Sequence, residues 1–573
     1  MRKIRIVSQI VVLTFFVGML YFVNNQVRGY AIESEFLLRF NPFSALLTLI
    51  ASHSILPSFV VTALIVAITT ILFGRFFCGF FCPLGTLIDA VDNWFFKKIR
   101  AKERKVPRYF QRIKYVVMIA FLVLAVFGAI FPLYLGPLSF TTRLITIVID
   151  PILKIIGTDI NRLVGVFSPT ASTLMYSKFP TTIRLFYGVV ATTIMAILVF
   201  AGGFWDKRFW CQYICPTGAF LGLLSRFSLF KRGVKESTCN SCLRCVRSCP
   251  VHAIDEKDIR KTNLSECIEC GVCVQLKEGC SAFEIGKPDT VLTYGPDLKR
   301  RHIVAGAAGG LLLVPLYRAN AVNKRDSTGR LIRPPGALPE NEFLGKCIGC
   351  GECMKACPTN TLQPCLFTDG FSRLYSPKVV PRIAGCEEKC HLCGYVCPTG
   401  ALRNLPYEEK RFAKIGTAVL DRHRCLAWAQ NKECLVCDEV CPYNAISAYV
   451  VETTKGRFKV PVVDEDLCLG CGMCEQHCPI FDTAAIVVYK FGENRKAVGP
   501  YVTDAQKKVI LEKRRASDSK HLGKPASSSA LDMSSEESSG FSDGFTSEGA
   551  SSSGFVDEPN ESTGNDLPPG FLE

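Results

Sequence analysis

The sequence predicts a membrane α-helical bundle of four spans, with room for a fifth, joined to small α+β domains folded around cysteine loops. Three observations predict it: four apolar runs of spanning length, an arginine-cysteine motif that occurs twice, and cysteines gathered in regularly spaced quartets. At 573 residues the chain has room for several domains, since one usually takes roughly 100 to 200. Hydrophobic residues make up 49% and the mean hydropathy is +0.23, a balance that soluble chains rarely reach unless part of them lies in lipid.

The apolar runs are residues 6–23, 57–74, 115–135 and 185–204, each near the roughly 20 residues a spanning helix needs. Arg2, Lys3 and Arg5 precede the first, and Asn24, Asn25 and Gln26 end it without a small-residue cleavage site, so it reads as an anchor. With the N-terminus inside, the basic block Lys97, Lys98, Arg100, Lys102, Arg104, Lys105, Arg108, Arg112 and Lys114 also falls inside, as do Arg226, Lys231 and Arg232 after the fourth run. The net charge of +16 needs no nucleic-acid partner, because the apolar flanks already account for the block. Residues 1–235 are therefore expected to form the membrane domain.

Within it, Arg75-Phe-Phe-Cys78-Gly-Phe-Phe-Cys82-Pro83-Leu-Gly85 returns as Arg208-Phe-Trp-Cys211-Gln-Tyr-Ile-Cys215-Pro216-Thr-Gly218. Each copy follows an outside-to-inside run, so a parallel repeat would bring Cys78, Cys82, Cys211 and Cys215 together at the inner face. They are candidates for an additional redox or metal site; paired structural turns are the bland alternative.

The chain has 29 cysteines. Cys239, Cys242, Cys245 and Cys249-Pro250 follow the bacterial ferredoxin spacing, as do Cys347, Cys350, Cys353 and Cys357-Pro358, and Cys468, Cys471, Cys474 and Cys478-Pro479. Three quartets depart from it: Cys267, Cys270, Cys273 and Cys280; Cys386, Cys390, Cys393 and Cys397-Pro398; and Cys425, Cys434, Cys437 and Cys441-Pro442. Six quartets and the repeat account for every cysteine except Cys365, which reads as packing. Three thiolates two residues apart wrap one face of a cubane, while the fourth, fixed by proline, turns to the neighbouring cluster. Zinc sites need no third cysteine at this spacing, and disulfides require export. The expected cofactors are therefore about six [4Fe-4S] clusters in α+β ferredoxin-like domains, residues 236–298 holding two and residues 322–500 four. In the first, Cys249 is expected with Cys267, Cys270 and Cys273, and Cys280 with Cys239, Cys242 and Cys245. For the later four quartets the expectation is nested: first with fourth, second with third.

Between the cluster regions, Lys299, Arg300, Arg301 and His302 precede an apolar stretch and Ala319-Asn320-Ala321. That order makes residues 299–321 a twin-arginine-like export signal or an anchor, and carries the second region outside. Residues 515–573, rich in Ser, Gly, Asp and Glu, read as a disordered tail.

At these motifs residues 1–285 resemble NapH-type membrane quinol dehydrogenase subunits and the membrane unit of NosR-like polyferredoxins. Residues 300–488 are similar to NapG/MauM-type exported ferredoxins, and the chain resembles a fusion of the two. The resemblance implies a multi-pass protein of the bacterial inner membrane with its second ferredoxin region in the periplasm. It would take electrons from membrane quinol to a periplasmic reductase or other redox partner, as an electron carrier and possible quinol dehydrogenase subunit. An accessory redox or maturation protein for a metalloenzyme is the alternative. His53, Glu33 and Glu35 are the weak candidates for a proton acceptor at quinol.

Overall fold

The computed structural model describes residues 2–520 apart from 25–33, 55, 97–106, 131–135, 169, 171–172, 174–182, 236–238, 277–280, 286–291, 295–297, 323–328 and 454–455. Residues 1–522 form one compact unit. Its centre is helical. Lys3–Tyr21 and Tyr109–Val126 are long and apolar enough to cross a membrane; Pro57–Phe73 and Val189–Phe204 are apolar but shorter. Four full-length spans were expected, and two of the four are of that length. The third run stops at Val126 because the chain turns through Gly128 at φ +79°. The fourth begins only at Val189, where Gly188 lies against the Pro364 and Tyr375 side chains.

Two further buried helices, which periodicity did not reveal, thread the core lengthwise. Pro42–Ser52 and Pro137–Arg143 each carry proline at the first turn, where its missing N–H costs nothing. The first starts where Thr217 Oγ1 donates to Asn41 Oδ1 at 3.3 Å and ends with the Ala51 carbonyl beside Gly345. The second packs Phe140 among Cys82, Leu84 and Ile88 and ends with the Arg143 guanidinium over the Tyr375 ring at 4.7 Å. It continues through Leu144–Ile149 into Asp150–Phe167, whose Asp150 pairs with Lys355 at 2.6 Å.

These contacts put the two cysteine-rich regions at opposite ends of the bundle. At one end, the Leu229 N–H donates to the Ile71 carbonyl, Gly222 meets the Ser265 carbonyl, and buried Lys114 pairs with Glu266. At the other, Leu56 packs on Gly400, the Arg184 guanidinium donates to the Lys355 carbonyl at 2.9 Å, and Thr192 hydrogen-bonds Tyr375 at 2.7 Å. Among the described residues the strands are short and pair in twos: Phe230–Val234 with Ser281–Ile285, Lys261–Asn263 with Leu292–Tyr294, Leu362–Pro364 with Pro377–Val379, Thr417–Leu420 with Ile486–Tyr489, and Ile446–Thr453 with Gly456–Val463. The expected tail start at residue 515 is corrected: Asp504–Lys520 is a helix. Thr503 and Gln506 cap it reciprocally, at 3.0 Å and 3.4 Å. Residues 521–573 lie outside the described residues.

Candidate metal centres

Each regular cysteine loop has to curl around an object at its centre, and the backbone shows how. The residues on either side of the middle cysteine take positive φ: Gly349 and Gly351 around Cys350, Gly470 and Gly472 around Cys471, Glu269 and Gly271 around Cys270, Ser241 and Leu243 around Cys242. Left-handed backbone is cheap for glycine and costs other residues about 1–2 kcal/mol. Glu269, Ser241 and Leu243 therefore hold strained positions that the wrapped loop imposes.

The loops build cavities lined by four cysteines from two quartets. Cys347, Cys350 and Cys353 share one with Cys397; Cys425, Cys434 and Cys437 with Cys478; Cys468, Cys471 and Cys474 with Cys441; and Cys267, Cys270 and Cys273 with Cys249. Cys357 lies beside Cys386, Cys390 and Cys393. The nested order expected for the later quartets is thus corrected to a sequential one. Adjacent quartets exchange their last thiols: Cys357 and Cys441 reach forward to the next loop along the chain, and Cys397 and Cys478 reach back to the preceding one. The expected Cys249 assignment agrees with the cavity. Cys239, Cys242 and Cys245 line a wider cavity with Cys273 at its inner wall, and Cys280 lies outside the described residues.

The cavities fit cubanes by three observations. Four of them are alike in size, each with a volume of about 20 Å³, as repeated copies of one object would require. Backbone N–H groups of Ala253, Ala418, Ala445, Ala485 and Leu402 donate to the sulfurs of Cys249, Cys468, Cys441, Cys478 and Cys397 at 3.3–3.4 Å, the bonds that stabilise a charged cluster and set its potential. Among the described residues no three His, Cys, Asp or Glu donors close on a single-ion position.

The sites fall into a sequence. The 347/350/353/397 site touches the bundle, with Ile348 and Cys350 in the same apolar cluster as Tyr115, Leu124 and Tyr317. It exchanges fourth ligands with the 357/386/390/393 site. That site meets the 441/468/471/474 site, where the Cys386 N–H donates to the Cys471 carbonyl at 2.7 Å. The last exchange leads to the 425/434/437/478 site, beside which Phe481 is 97% exposed.

At the opposite end, the four repeat cysteines come together as the symmetry implied. Cys82, Cys211 and Cys215 pack in one apolar cluster, and Cys78 is an electrostatic neighbour of all three. Cys82 and Cys215 cap the helices Pro83–Val91 and Pro216–Leu224, accepting from the N–H of Gly85 at 3.4 Å and Gly218 at 3.3 Å. This is why both copies read Cys-Pro-x-Gly: cap, first-turn proline, and a third residue small enough for what lies against it. What lies there is the other copy's arginine. A Cβ on Gly218 would sit 2.9 Å from Arg75 Nη2, and one on Gly85 would sit 3.6 Å from Arg208 Nη2. Arg208 makes a two-pronged pair with Asp89, both bonds 2.7 Å, and donates to the Cys78 carbonyl; Arg75 donates to the Ser265 carbonyl at 2.7 Å and pairs with Glu266. Burial pushes the Cys211 thiol up to about 11 and Cys215 to about 12. Two buried guanidiniums beside the four thiols suit a bound group that brings negative charge. Cys78 also packs with Cys249, Cys267 and Cys270, which places the tetrad directly against the two-cluster region.

His53 is an exposed left-handed residue, φ +49°, that ends the helix Pro42–Ser52 with its N–H on the Leu49 carbonyl, a structural role. Glu33 and the Glu35 side chain lie outside the described residues. Cys365 is buried beside Arg333, at 3.6 Å; it is an electrostatic neighbour of Cys347 and does not itself line the 347/350/353/397 cavity. Sequence reasoning missed Arg75, Arg208, Asp89 and Glu266; the repeated arginine was the available signal.

Comparison with known families agrees with these sites. A model described as a 4Fe-4S binding domain matches residues 55–102, 187–235 and 393–414, and its first two stretches enclose the repeat. Models described as 4Fe-4S dicluster domains match 232–276 and 432–481, and a further 4Fe-4S binding domain matches 343–363. The methylamine utilization ferredoxin-type protein MauM of Paracoccus denitrificans is 39% identical over 33% of this chain and 82% of its own length. MauM of Methylophilus methylotrophus is 34% identical over 31% and 79%. The ferredoxin-type protein NapG of Escherichia coli is 37% identical over 32% and 81%. Iron-sulfur electron transfer, through several [4Fe-4S] clusters, is what these sites are for.

Proposed function

Because this chain belongs to the family of ferredoxin-type proteins that includes MauM and NapG, we propose that it relays electrons across a membrane, from quinol to a periplasmic reductase or other redox protein. The observation that carries the reading is the placement of cluster sites at both ends of one apolar helix bundle, with the cysteine tetrad against the first group and the 347/350/353/397 site against the bundle's far end. Lys3–Tyr21, Pro57–Phe73, Tyr109–Val126 and Val189–Phe204 are the four membrane crossings, the two shorter ones completed by the segments around them. Arg5, Lys114 and Arg232 lie at the end of the two-cluster region, which supports reading that end as cytoplasmic by the positive-inside rule.

In this reading six clusters carry the charge, held by the 24 cysteines of the quartets, with Cys280 completing the 239/242/245 site. Cys78, Cys82, Cys211 and Cys215 hold a further iron-sulfur or metal group that receives or passes electrons at the inner face. The bound clusters supply one-electron chemistry. The chain holds them in order, buries them from water, and directs N–H groups at their sulfurs. Electrons leave at the 425/434/437/478 site, the last in that sequence of sites.

The test is a potentiometric EPR titration of anaerobic membranes containing the full chain, with and without added quinol. Reduction of the cluster signals by quinol supports the relay. If quinol leaves them oxidised while a soluble low-potential donor reduces them, quinol is not the donor.

A further inference from the structure

The segment Arg300–Val322 forms a continuous helix, and one of its faces is made of glycine. Gly306 and Gly310, one turn apart, are buried against the helix Ile113–Val126. A Cβ on Gly306 would lie 2.9 Å from the Val116 carbonyl oxygen and from Ile119 Cβ, and one on Gly310 would lie 2.8 Å from the Ala120 carbonyl oxygen and from Val123 Cβ. Backbone oxygens cannot swing aside as a side-chain tip can. Both contacts advance in the same direction along the two chains, so the helices run parallel. Gly309, beside Gly310 in sequence, has open space where its Cβ would be.

The other faces carry Val304, Leu311 and Leu312, 65, 53 and 77% exposed. Two turns beyond Gly310, Tyr317 is buried in the cluster that contains Ile348 and Cys350. Small residues that let two backbones meet, with bare apolar side chains elsewhere, are how helices associate in lipid. A signal cleaved after Ala321 would leave this groove empty and take Tyr317 from beside a cluster ligand.

We infer that this twin-arginine-like segment is a permanent fifth membrane helix, docked through Gly306 and Gly310 on Ile113–Val126, and that the chain is not cut after it. The inference rests on the membrane reading above. The uncut helix joins the two cluster regions covalently and fixes the 347/350/353/397 site against the bundle.

The full chain with a C-terminal tag would be expressed, its membranes washed with sodium carbonate, and the tagged species sized and sequenced from its N-terminus. The expected species is the intact 63.4 kDa chain in the washed membranes. A tagged fragment beginning near Val322 overturns the inference, whereas an intact chain stripped off by carbonate overturns the membrane reading on which it rests. The docking face has its own check. Gly306→Leu and Gly310→Leu should each lower the temperature at which the iron-sulfur absorbance is lost, and Gly309→Leu should not. Equal effects at 309 and 310 would refute the glycine contact.

Discussion

Glu266 pins the two-cluster region to the bundle. Its carboxylate is 2% exposed and accepts from Lys114 Nζ, itself fully buried, and from Arg75 at 3.3 Å. Glu266→Gln keeps the shape and removes the charge. Arg75 retains the Ser265 carbonyl at 2.7 Å, while the Lys114 ammonium loses its carboxylate and keeps the Tyr115 ring at 5.2 Å. Leaving a buried charge unpaired costs about 3–5 kcal/mol, so local opening should become more frequent by roughly two to three and a half powers of ten. Hydrogen exchange of the peptide carrying residues 261–276, followed by mass spectrometry on the full chain, reads this directly. Lys114→Met should cost less, because Arg75 remains with Glu266, and the double variant should recover part of the Glu266→Gln loss, as coupled neighbours do. Unchanged exchange in Glu266→Gln, or strictly additive losses in the double variant, would refute the reasoning.

Sequential pairing makes Cys357→Ser and Cys386→Ser disturb one and the same EPR signal and Cys397→Ser and Cys350→Ser another; a shared effect of Cys357 and Cys468 would contradict it. Gly470→Ala should lose the 441/468/471/474 cluster, since φ is +73° and the new Cβ would lie 2.6 Å from the Gly416 carbonyl, and an iron and sulfide assay should show the loss of one cluster with the rest retained. Burial alone would raise the Asp89 carboxyl, but Arg208, with Arg5 and Gln9, holds it at about 2. A folded-state value below that of the unfolded chain means its contribution is complete above about pH 4 and fades as pH falls toward 2, so Asp89→Asn should be less stable at neutral pH and flatten the acid limb of a stability-against-pH curve. Replacing both Arg75 and Arg208 by glutamine should reduce metal retained per chain at the tetrad, while Arg162→Gln, exposed on Asp150–Phe167, should not.

Local ligand spacing was enough to read the cysteine quartets, their cubane cofactors and the ferredoxin relationship, because three donors of each regular cluster sit within seven residues and any fold must wrap them alike. The apolar runs announced helices, but their true lengths were set by Gly128 and by the seat of Gly188 on Pro364 and Tyr375. Pro42–Ser52 and Pro137–Arg143 escaped notice because buried helices too short to span carry no clear periodic signal.

By itself the sequence determined what each cysteine loop can bind, since a loop's grip depends on neighbours along the chain. Only the tertiary structure decided which loop supplies the fourth thiolate in the later four quartets, that two arginines cross between the repeats to flank the tetrad, and that Gly306 and Gly310 meet the backbone of Ile113–Val126. Those pairings join residues far apart in the chain, and they are set by packing and by the neutralisation of buried charge, which no local spacing encodes.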